Sequence, residues 1–148
     1  MDNEEHIKSL GTLVSYFHTL EFALRAVLRN HEKEKSEEID YATLNVGDTV
    51  PEEPMTNYDS LETLIDKYNK LAEKELRIDK KLVAIRDAIA HGRVFSDSRN
   101  LPMKLLKFDK PRQGAVTVTF AATMDHGWFA DKAVRLYEEI QKVFKKNE

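Results

Sequence analysis

Cysteine is absent from the sequence, which excludes disulfide bonds, thiolate metal ligands and cysteine nucleophiles. Long hydrophobic runs are absent as well, because no apolar stretch approaches the roughly 18 to 20 residues that a membrane-spanning helix requires. The N-terminal segment from Met1 to Glu5 is acidic where a signal peptide would be basic. We therefore expect a cytoplasmic protein that is neither exported nor bound to a membrane.

The chain has little net charge, but that charge is unevenly distributed. Its 148 residues, 41% of them hydrophobic, suffice for one core, so a single domain over residues 1–148 is expected. The net charge of -3 argues against indiscriminate binding of nucleic acids. Between Glu32 and Glu62, however, ten acidic residues stand against two lysines, a local balance of -8, which leaves +5 on the rest. That remainder could offer a modest phosphate-attracting face.

Hydrophobic periodicity predicts a long first helix from about Asn3 to His31. Its apolar residues recur every three or four positions, at Ile7, Leu10, Val14, Phe17, Leu20, Leu24 and Val27. The segment 32–58 loses this period, gathers acidic residues and contains Gly47 and two prolines. We expect an acidic connector there, with a short extended piece around Tyr41 to Val46.

Two further helices are predicted in the middle of the chain. Asp59 and Glu62 resemble a capping box, and an apolar stripe follows them. A third helix is expected from about Arg77 or Asp79 to His91, with Gly92 as a left-handed C-terminal cap.

The pattern then changes to that of a β-hairpin, over about residues 103–123. Apolar residues alternate in two runs, 104–108 and 115–121, around a turn that contains Pro111 and Gly114. A last helix is predicted from an apolar stripe of Phe129, Ala133 or Val134, Leu136, Tyr137, Ile140, Val143 and Phe144. The predicted fold class is therefore mainly α, with about four helices and a β-hairpin before the last one.

The segment Arg86-Asp87-Ala88-Ile89-Ala90-His91 places a cation, a carboxylate and an imidazole on an otherwise small or apolar helix. Asp87 and His91 are four residues apart, so the carboxylate is expected to orient the ring and favour its protonated form. Arg86 and His91 are five apart and therefore about 140° apart around an ideal helix. They meet only if the arginine reaches round, if the helix loosens at Gly92, or if a second subunit completes the site. Each of these favours a site at a groove between two copies.

This segment resembles the R-x4-6-H motif of HEPN domains, which commonly carry a polar residue directly after the arginine. The resemblance implies a HEPN-like up-and-down helical bundle, a homodimer that apposes two motifs, and metal-independent cleavage of RNA by attack of its own 2′-hydroxyl group. It further implies that Arg86 steadies the phosphate, His91 transfers protons and Asp87 is their polar partner. The implied settings are a toxin or a phage-defence component, with an antitoxin or regulatory protein as a further partner. Neither a cofactor nor a metal is expected.

Other residues complicate the motif. Arg25 and His31 also have an allowed spacing, but Ala26 follows the arginine and both lie on the first helix. Family members paired as toxins with a nucleotidyltransferase antitoxin carry a tyrosine two positions after the histidine, where this chain has Arg93. Four residues are auxiliary candidates for the site: His18, Glu21, Arg25 and Arg93.

Three alternatives stay open. The Arg86, Asp87 and His91 set is also typical of a structural ion-pair cluster at a helix end. A HEPN-like domain without catalysis could bind a partner or a nucleotide. A metal-binding bundle would draw on residues from several helices, namely His18, Glu21, His31, His91 and His126, but the reversed order of His18 and Glu21 does not fit the Glu-x-x-His pairs of di-iron bundles. The aromatic residues Tyr16, Phe17, Phe22, Tyr137 and Phe144 are interpreted as core or dimer contacts.

Overall fold

The fold is mainly helical, with a small antiparallel sheet before the last helix. The computed structural model describes residues 1–32, 38–96 and 102–148. Four α-helices are described: α1 (Asn3–His31), α2 (Leu61–Leu71), α3 (Leu82–His91) and α4 (His126–Lys146). Three strands form one sheet in the order β1-β2-β3: β1 (Arg93–Phe95), β2 (Met103–Phe108) and β3 (Val118–Met124). No helix of the described residues has the length and apolar character needed to cross a membrane.

Helix α1 is central, because α2, α3 and α4 all pack against it. It begins where predicted, and a capping box fixes its start: the Asp2 carboxylate accepts the Glu5 backbone N–H, and the Glu5 carboxylate accepts the Asp2 N–H, each at 2.8 Å. The largest fully buried side chains come from all four helices and from β3: Leu13, Leu20, Leu24, Leu64, Ile65, Tyr68, Leu82, Met124, Leu136 and Val143. Ile7 and Val14 of the predicted stripe are instead exposed.

The connector and α2 differ in detail from the sequence prediction. A 3-10 helix spans Tyr41–Thr43, so the extended piece predicted there is wrong. Residues 33–37 of the predicted connector lie outside the described residues. The N-cap of α2 is Ser60, whose hydroxyl accepts the Thr63 backbone N–H at 3.2 Å, rather than Asp59.

Helix α3 begins later than predicted, at Leu82, because the preceding residues are held by α4 instead of continuing a helix. The Asp79 backbone N–H donates to Glu139 Oε2 at 3.0 Å, and Arg135 pairs with the Asp79 carboxylate. The Lys81 backbone N–H, which donates to that carboxylate, and the charge of Arg135 lower the pKa of Asp79.

The predicted hairpin is confirmed as β2 and β3, paired antiparallel. Gln113 and Gly114 at its tip both have positive φ values, 52° and 75°, as tight hairpin turns require, and Arg112 and Ala115 exchange two backbone hydrogen bonds around them. The sequence prediction missed β1, a third strand that follows directly after α3 and pairs with β2.

Gly92 joins α3 to β1, and its role differs from the one predicted. Its φ of -74° and ψ of 179° are extended, so it is not a left-handed cap. Glycine is needed because of space: an added Cβ would lie 2.3 Å from the Ala88 carbonyl oxygen and 2.9 Å from the Leu106 carbonyl oxygen. The end of α3 is therefore packed tightly on β2 without room for a side chain.

Candidate functional site

Arg86 lies in a shallow groove between α1, α3 and the first turn of α2. The groove has a volume of about 200 Å³, and its lining includes Val14, His18, Glu21, Leu61, Arg86 and Ile89. A second recess continues it past Asp59, Glu62 and Asp87. Two of the predicted auxiliary residues, His18 and Glu21, therefore share a surface with Arg86, although they are more than 60 positions away in the chain.

Among the described residues, the Arg86 guanidinium makes one polar contact, and that contact is long. Its Nη1 donates to Oδ1 of the adjacent Asp87 at 3.3 Å, with 39% of the arginine side chain and 35% of the aspartate side chain exposed. Within the described residues, no hydrogen bond joins Asp87 to His91, so the expected orientation of the ring by this carboxylate is not formed. Arg86 keeps most of its donors available to a ligand.

His91 is the last residue of α3, and its side chain is exposed. It does not line the groove that holds Arg86. The structure thus leaves Arg86 and His91 on different sides of one helix end, as their spacing of five residues requires. Among the described residues, the groove that holds Arg86 and its extension therefore do not include His91.

Arg25 has a different environment, because all five of its guanidinium N–H groups are used. They donate to Glu21 Oε1 at 3.1 and 3.3 Å, to the carbonyl oxygens of Pro54 and Asp59 at 2.8 and 3.0 Å, and to Asn57 Oδ1 at 2.9 Å. These contacts bind the end of the connector to α1. Arg25 is a structural residue, and the second arginine-histidine pair in the sequence is not a free motif.

A neighbouring arginine holds the middle of the connector. Arg29 Nε donates to Glu53 Oε2 at 3.0 Å, and its guanidinium lies 5.9 Å from the centre of the Tyr41 ring. The Tyr41 hydroxyl donates to the other oxygen of the Glu53 carboxylate. The acidic connector is therefore folded onto the side of α1, next to the groove.

Carboxylates outnumber cations in the lining around Arg86. Glu21, Asp59, Glu62 and Asp87 line the groove and its extension, and among the described lining residues Arg86 is the only arginine or lysine. Each carboxylate is paired with a cation, Glu21 with Arg25, Asp59 with Lys67, Glu62 with Lys80 and Asp87 with Arg86. An approaching phosphate would meet less repulsion from the His91 end of α3 than from the α2 side.

Arg93, the remaining auxiliary candidate, belongs to the sheet and not to the groove. It begins β1, two residues after His91, and its guanidinium carbon lies 5.6 Å from the centre of the Phe108 ring. This cation–π contact holds Arg93 on the sheet. Arg93 is also a second arginine close to His91 in the sequence.

An exposed apolar face of α1 borders the groove. Ile7, Val14, His18 and Phe22 recur at helical spacing on one side of α1, and the three apolar members are exposed, Phe22 by 61%. Val14 also lines the groove beside Ile89 and Ala90 of α3. The sequence analysis placed Ile7 and Val14 on the core-facing stripe of α1. The apolar residues of α1 cover more of its circumference than one such stripe does, and this width indicated a second apolar face.

The arrangement offers a guanidinium with free donors and an exposed imidazole at one helix end, beside an apolar surface. In the described part of the chain, no three histidine, aspartate or glutamate side chains are grouped as metal ligands would be. His126 Nε2 instead lies 3.9 Å from Glu5 Oε2.

In comparisons with known proteins, no family model matches this chain, and no curated protein or solved structure matches it significantly.

Proposed function

We propose that the chain is a metal-independent endoribonuclease of the HEPN type, with a HEPN-like helical bundle and a homodimeric site composed of Arg86 and His91. The supporting observation is that both side chains reach solvent at the end of α3 while lying on different sides of it. A second copy, placed so that the two α3 ends face each other, would bring an arginine from one subunit to the histidine of the other. The settings that we propose are a toxin or a phage-defence component, held in check by an antitoxin or regulatory protein.

The proposed chemistry needs only these side chains and the RNA itself. The 2′-oxygen attacks the adjacent phosphorus, the bond from phosphorus to the 5′-oxygen breaks, and the products are a 2′,3′-cyclic phosphate and a 5′-hydroxyl group. His91 of one subunit accepts the proton of the 2′-hydroxyl, and the partner's His91 donates a proton to the departing 5′-oxygen. Arg86 binds the phosphate oxygens, whose negative charge grows in the transition state.

The exposed α1 face provides a surface for this dimer. Ile7, Val14 and Phe22 would be covered by the second copy, which removes apolar area from water. His18 lies among them and adjoins the groove that holds Arg86. Dimerisation through this face would therefore also close the side of the groove that is open in one chain.

The runner-up is a HEPN-like module without catalysis that binds a partner or a nucleotide. The lining of the groove favours it, because a surface of paired acidic and basic side chains suits a charged protein partner better than the phosphates of RNA. The two proposals differ in whether His91 is needed for a chemical step.

The test is an RNA cleavage assay in the presence of EDTA with the native chain, Arg86→Ala and His91→Ala. Both variants should retain the fold, since neither side chain is buried, and should lose cleavage. Mixing the two inactive variants should not restore cleavage, because a mixed dimer keeps only one His91 and the proposed step uses the His91 of both subunits. If native protein cleaves no RNA, or if both variants cleave as well as the native chain, the proposal is wrong.

A matched pair of phenylalanines tests the dimer. Phe22→Glu on the exposed α1 face should yield monomers without cleavage activity, whereas Phe144→Glu, at another exposed aromatic position on α4, should leave the dimer and its activity intact. Light scattering after size-exclusion chromatography gives the mass. A Phe22→Glu protein that remains an active dimer would exclude this face as the interface.

A further inference from the structure

The sheet has an outer face that carries aromatic and basic side chains. Leu105 and Met124 are buried, so their neighbours in the strands point to the opposite side. We call this side the outer sheet face, and the pairing of the strands places on it Arg93, Phe95, Lys104, Leu106, Phe108 and Thr123. This face is built from all three strands.

Three of these side chains form a contiguous cluster. The rings of Phe95 and Phe108 meet edge to face, with 6.4 Å between their centres, and the Arg93 guanidinium carbon lies 5.6 Å from the centre of the Phe108 ring. Phe95 is 45% exposed and Phe108 is partly exposed. Two aromatic rings and a planar cation are thus presented to solvent, where a globular protein gains nothing by leaving them uncovered.

The surroundings of this cluster are basic, in contrast to the groove. The described residues between Arg93 and Met124 include five basic residues and one acidic residue, although the whole chain carries a net charge of -3. On the outer sheet face itself Arg93 and Lys104 are exposed. A polyanion would be attracted to this side of the molecule.

The outer sheet face is also joined rigidly to the candidate catalytic histidine. His91 ends α3, Gly92 packs against the carbonyl oxygen of Leu106, and β1 begins at Arg93. The absence of a side chain at Gly92 lets the helix end and β2 lie in direct contact. Only Gly92 therefore separates His91 from Arg93, the first residue of the outer sheet face.

We propose that the outer sheet face binds single-stranded RNA, with nucleobases stacked on Phe95 and Phe108 and phosphates contacted by Arg93 and Lys104. The inference rests on the proposed ribonuclease function, for which it names the substrate class. Stacking needs the faces of bases, which a duplex hides, so unpaired RNA is selected. Single-stranded RNA fits better than a protein partner because the aromatic rings are interleaved with cations on a sheet that is basic overall.

The experiment measures binding apart from cleavage. Fluorescence anisotropy follows a labelled oligouridine of about twelve nucleotides, within the range of known single-strand sites, that carries 2′-O-methyl groups and so cannot be cleaved. Phe95→Ala should weaken binding by about five-fold or more, the effect of losing one stacked base. Val94→Ala is the matched control, since Val94 is the neighbouring residue on the other side of β1 and is 46% exposed against 45% for Phe95. It should bind as the native chain does.

Charge is tested in the same assay. Lys104→Gln should lower the slope of log affinity against log salt by about 0.7, the value for one phosphate contact on a single strand. Lys70→Gln, on an exposed position of α2, should leave the slope unchanged. Melting curves of every variant confirm that the fold is retained.

Three outcomes would overturn the inference: native affinity in Phe95→Ala, equal binding of duplex and single-stranded RNA, or a Phe95→Ala protein that loses self-association but keeps RNA binding. The last would identify the face as a protein interface. Cleavage by the same proteins separates this inference from the proposed function. If RNA binding depends on Phe95 but no RNA is cleaved, only the proposed ribonuclease function is contradicted. If cleavage depends on His91 but Phe95→Ala binds RNA as the native chain does, only the proposal for the outer sheet face is contradicted.

Discussion

Arg25 of α1 and Arg86 of α3 each begin a stretch with arginine-histidine spacing, yet their guanidinium groups are used differently. Arg25 donates all five of its N–H groups to the connector and to Glu21. In the part of the chain that the structure describes, Arg86 makes a single polar contact, of 3.3 Å with Asp87, and its side chain is 39% exposed. An arginine whose donors are satisfied inside the protein stabilises it, and one whose donors face solvent is available to bind a ligand.

The two regions also differ in the space around their glycines, although both helices end in an exposed histidine. His31 ends α1 and His91 ends α3, both exposed, and each helix carries a glycine in or next to it. In α1, Gly11 has no atom within 4 Å of an added Cβ, whereas Gly92 after α3 is tightly enclosed. Matching substitutions of the arginines, histidines and glycines therefore test whether each residue type has a different role at the two helices.

The largest effect is expected from the two histidines. His91→Ala should reduce RNA cleavage by about 100-fold or more, the usual contribution of a positioned proton donor or acceptor. His31→Ala should cleave RNA at the native rate, because Arg25 has no donor left for a phosphate. Initial rates with the same RNA measure both. Equal losses in the two variants would show that the comparison between the helix ends is wrong.

The next largest effect is expected from the two arginines, whose removal should change the free energy of unfolding by different amounts. Arg25→Ala removes five hydrogen bonds and leaves Glu21 and two carbonyl oxygens without their donor, which should lower the free energy of unfolding by about 2 to 4 kcal/mol. Arg86→Ala should change it by less than about 1 kcal/mol, since the pair with Asp87 is partly exposed. Urea denaturation at one protein concentration measures both. A larger loss in Arg86→Ala would make Arg86 the structural residue.

Much of the helical framework could be predicted from periodicity, because a core-facing stripe repeats every three or four residues. Helix α1 has the bounds that its pattern indicates, and β2 lies within one residue of its predicted run, whereas β3 lies three residues later than the predicted run 115–121. The start of α3 could not be predicted, since it depends on Arg135 and Glu139 of α4, which hold Asp79 from the far end of the chain. Strand β1 was missed because three residues carry too little pattern to identify a strand.

For the candidate site, residue spacing predicted how Arg86 and His91 are separated but not which residue contacts Asp87. The separation of Arg86 from His91 around the helix follows from local geometry alone. The contact of Asp87 could not be predicted from spacing, because the spacings of both Arg86 and His91 allow contact with its carboxylate. In the structure, the adjacent Arg86 makes that contact. The role of Arg25 was hidden too, because its partners Pro54, Asn57 and Asp59 lie about thirty residues away.

Two glycine substitutions should change stability in opposite directions. Gly92→Ala forces a methyl group against two carbonyl oxygens, and the resulting shift should lower the free energy of unfolding by about 1 to 3 kcal/mol. Gly11→Ala adds a methyl group in open space within a helix and should raise it by about 0.5 to 1 kcal/mol. Thermal melts of both proteins at equal concentration provide the measurement. A stabilised Gly92→Ala protein would contradict the tight joint between α3 and β2.

The smallest effect is expected from His6, in the first turns of α1. Its side chain is buried against the Phe129 ring, its Nδ1 has no hydrogen-bond partner among the described residues, and burial lowers its pKa. The unfolded chain therefore binds a proton more readily than the folded one, so stability should fall as the pH drops below the ordinary value of about 6.5.

The variant His6→Phe tests this, because it keeps the ring contact without the titratable group. Between about pH 7.5 and pH 5.5, the melting temperature of the native protein should fall further than that of His6→Phe. His126→Gln is the control, because His126 is exposed beside Glu5 and should leave that difference unchanged. Equal losses in the native protein and in His6→Phe would show that the acid sensitivity arises elsewhere in the chain.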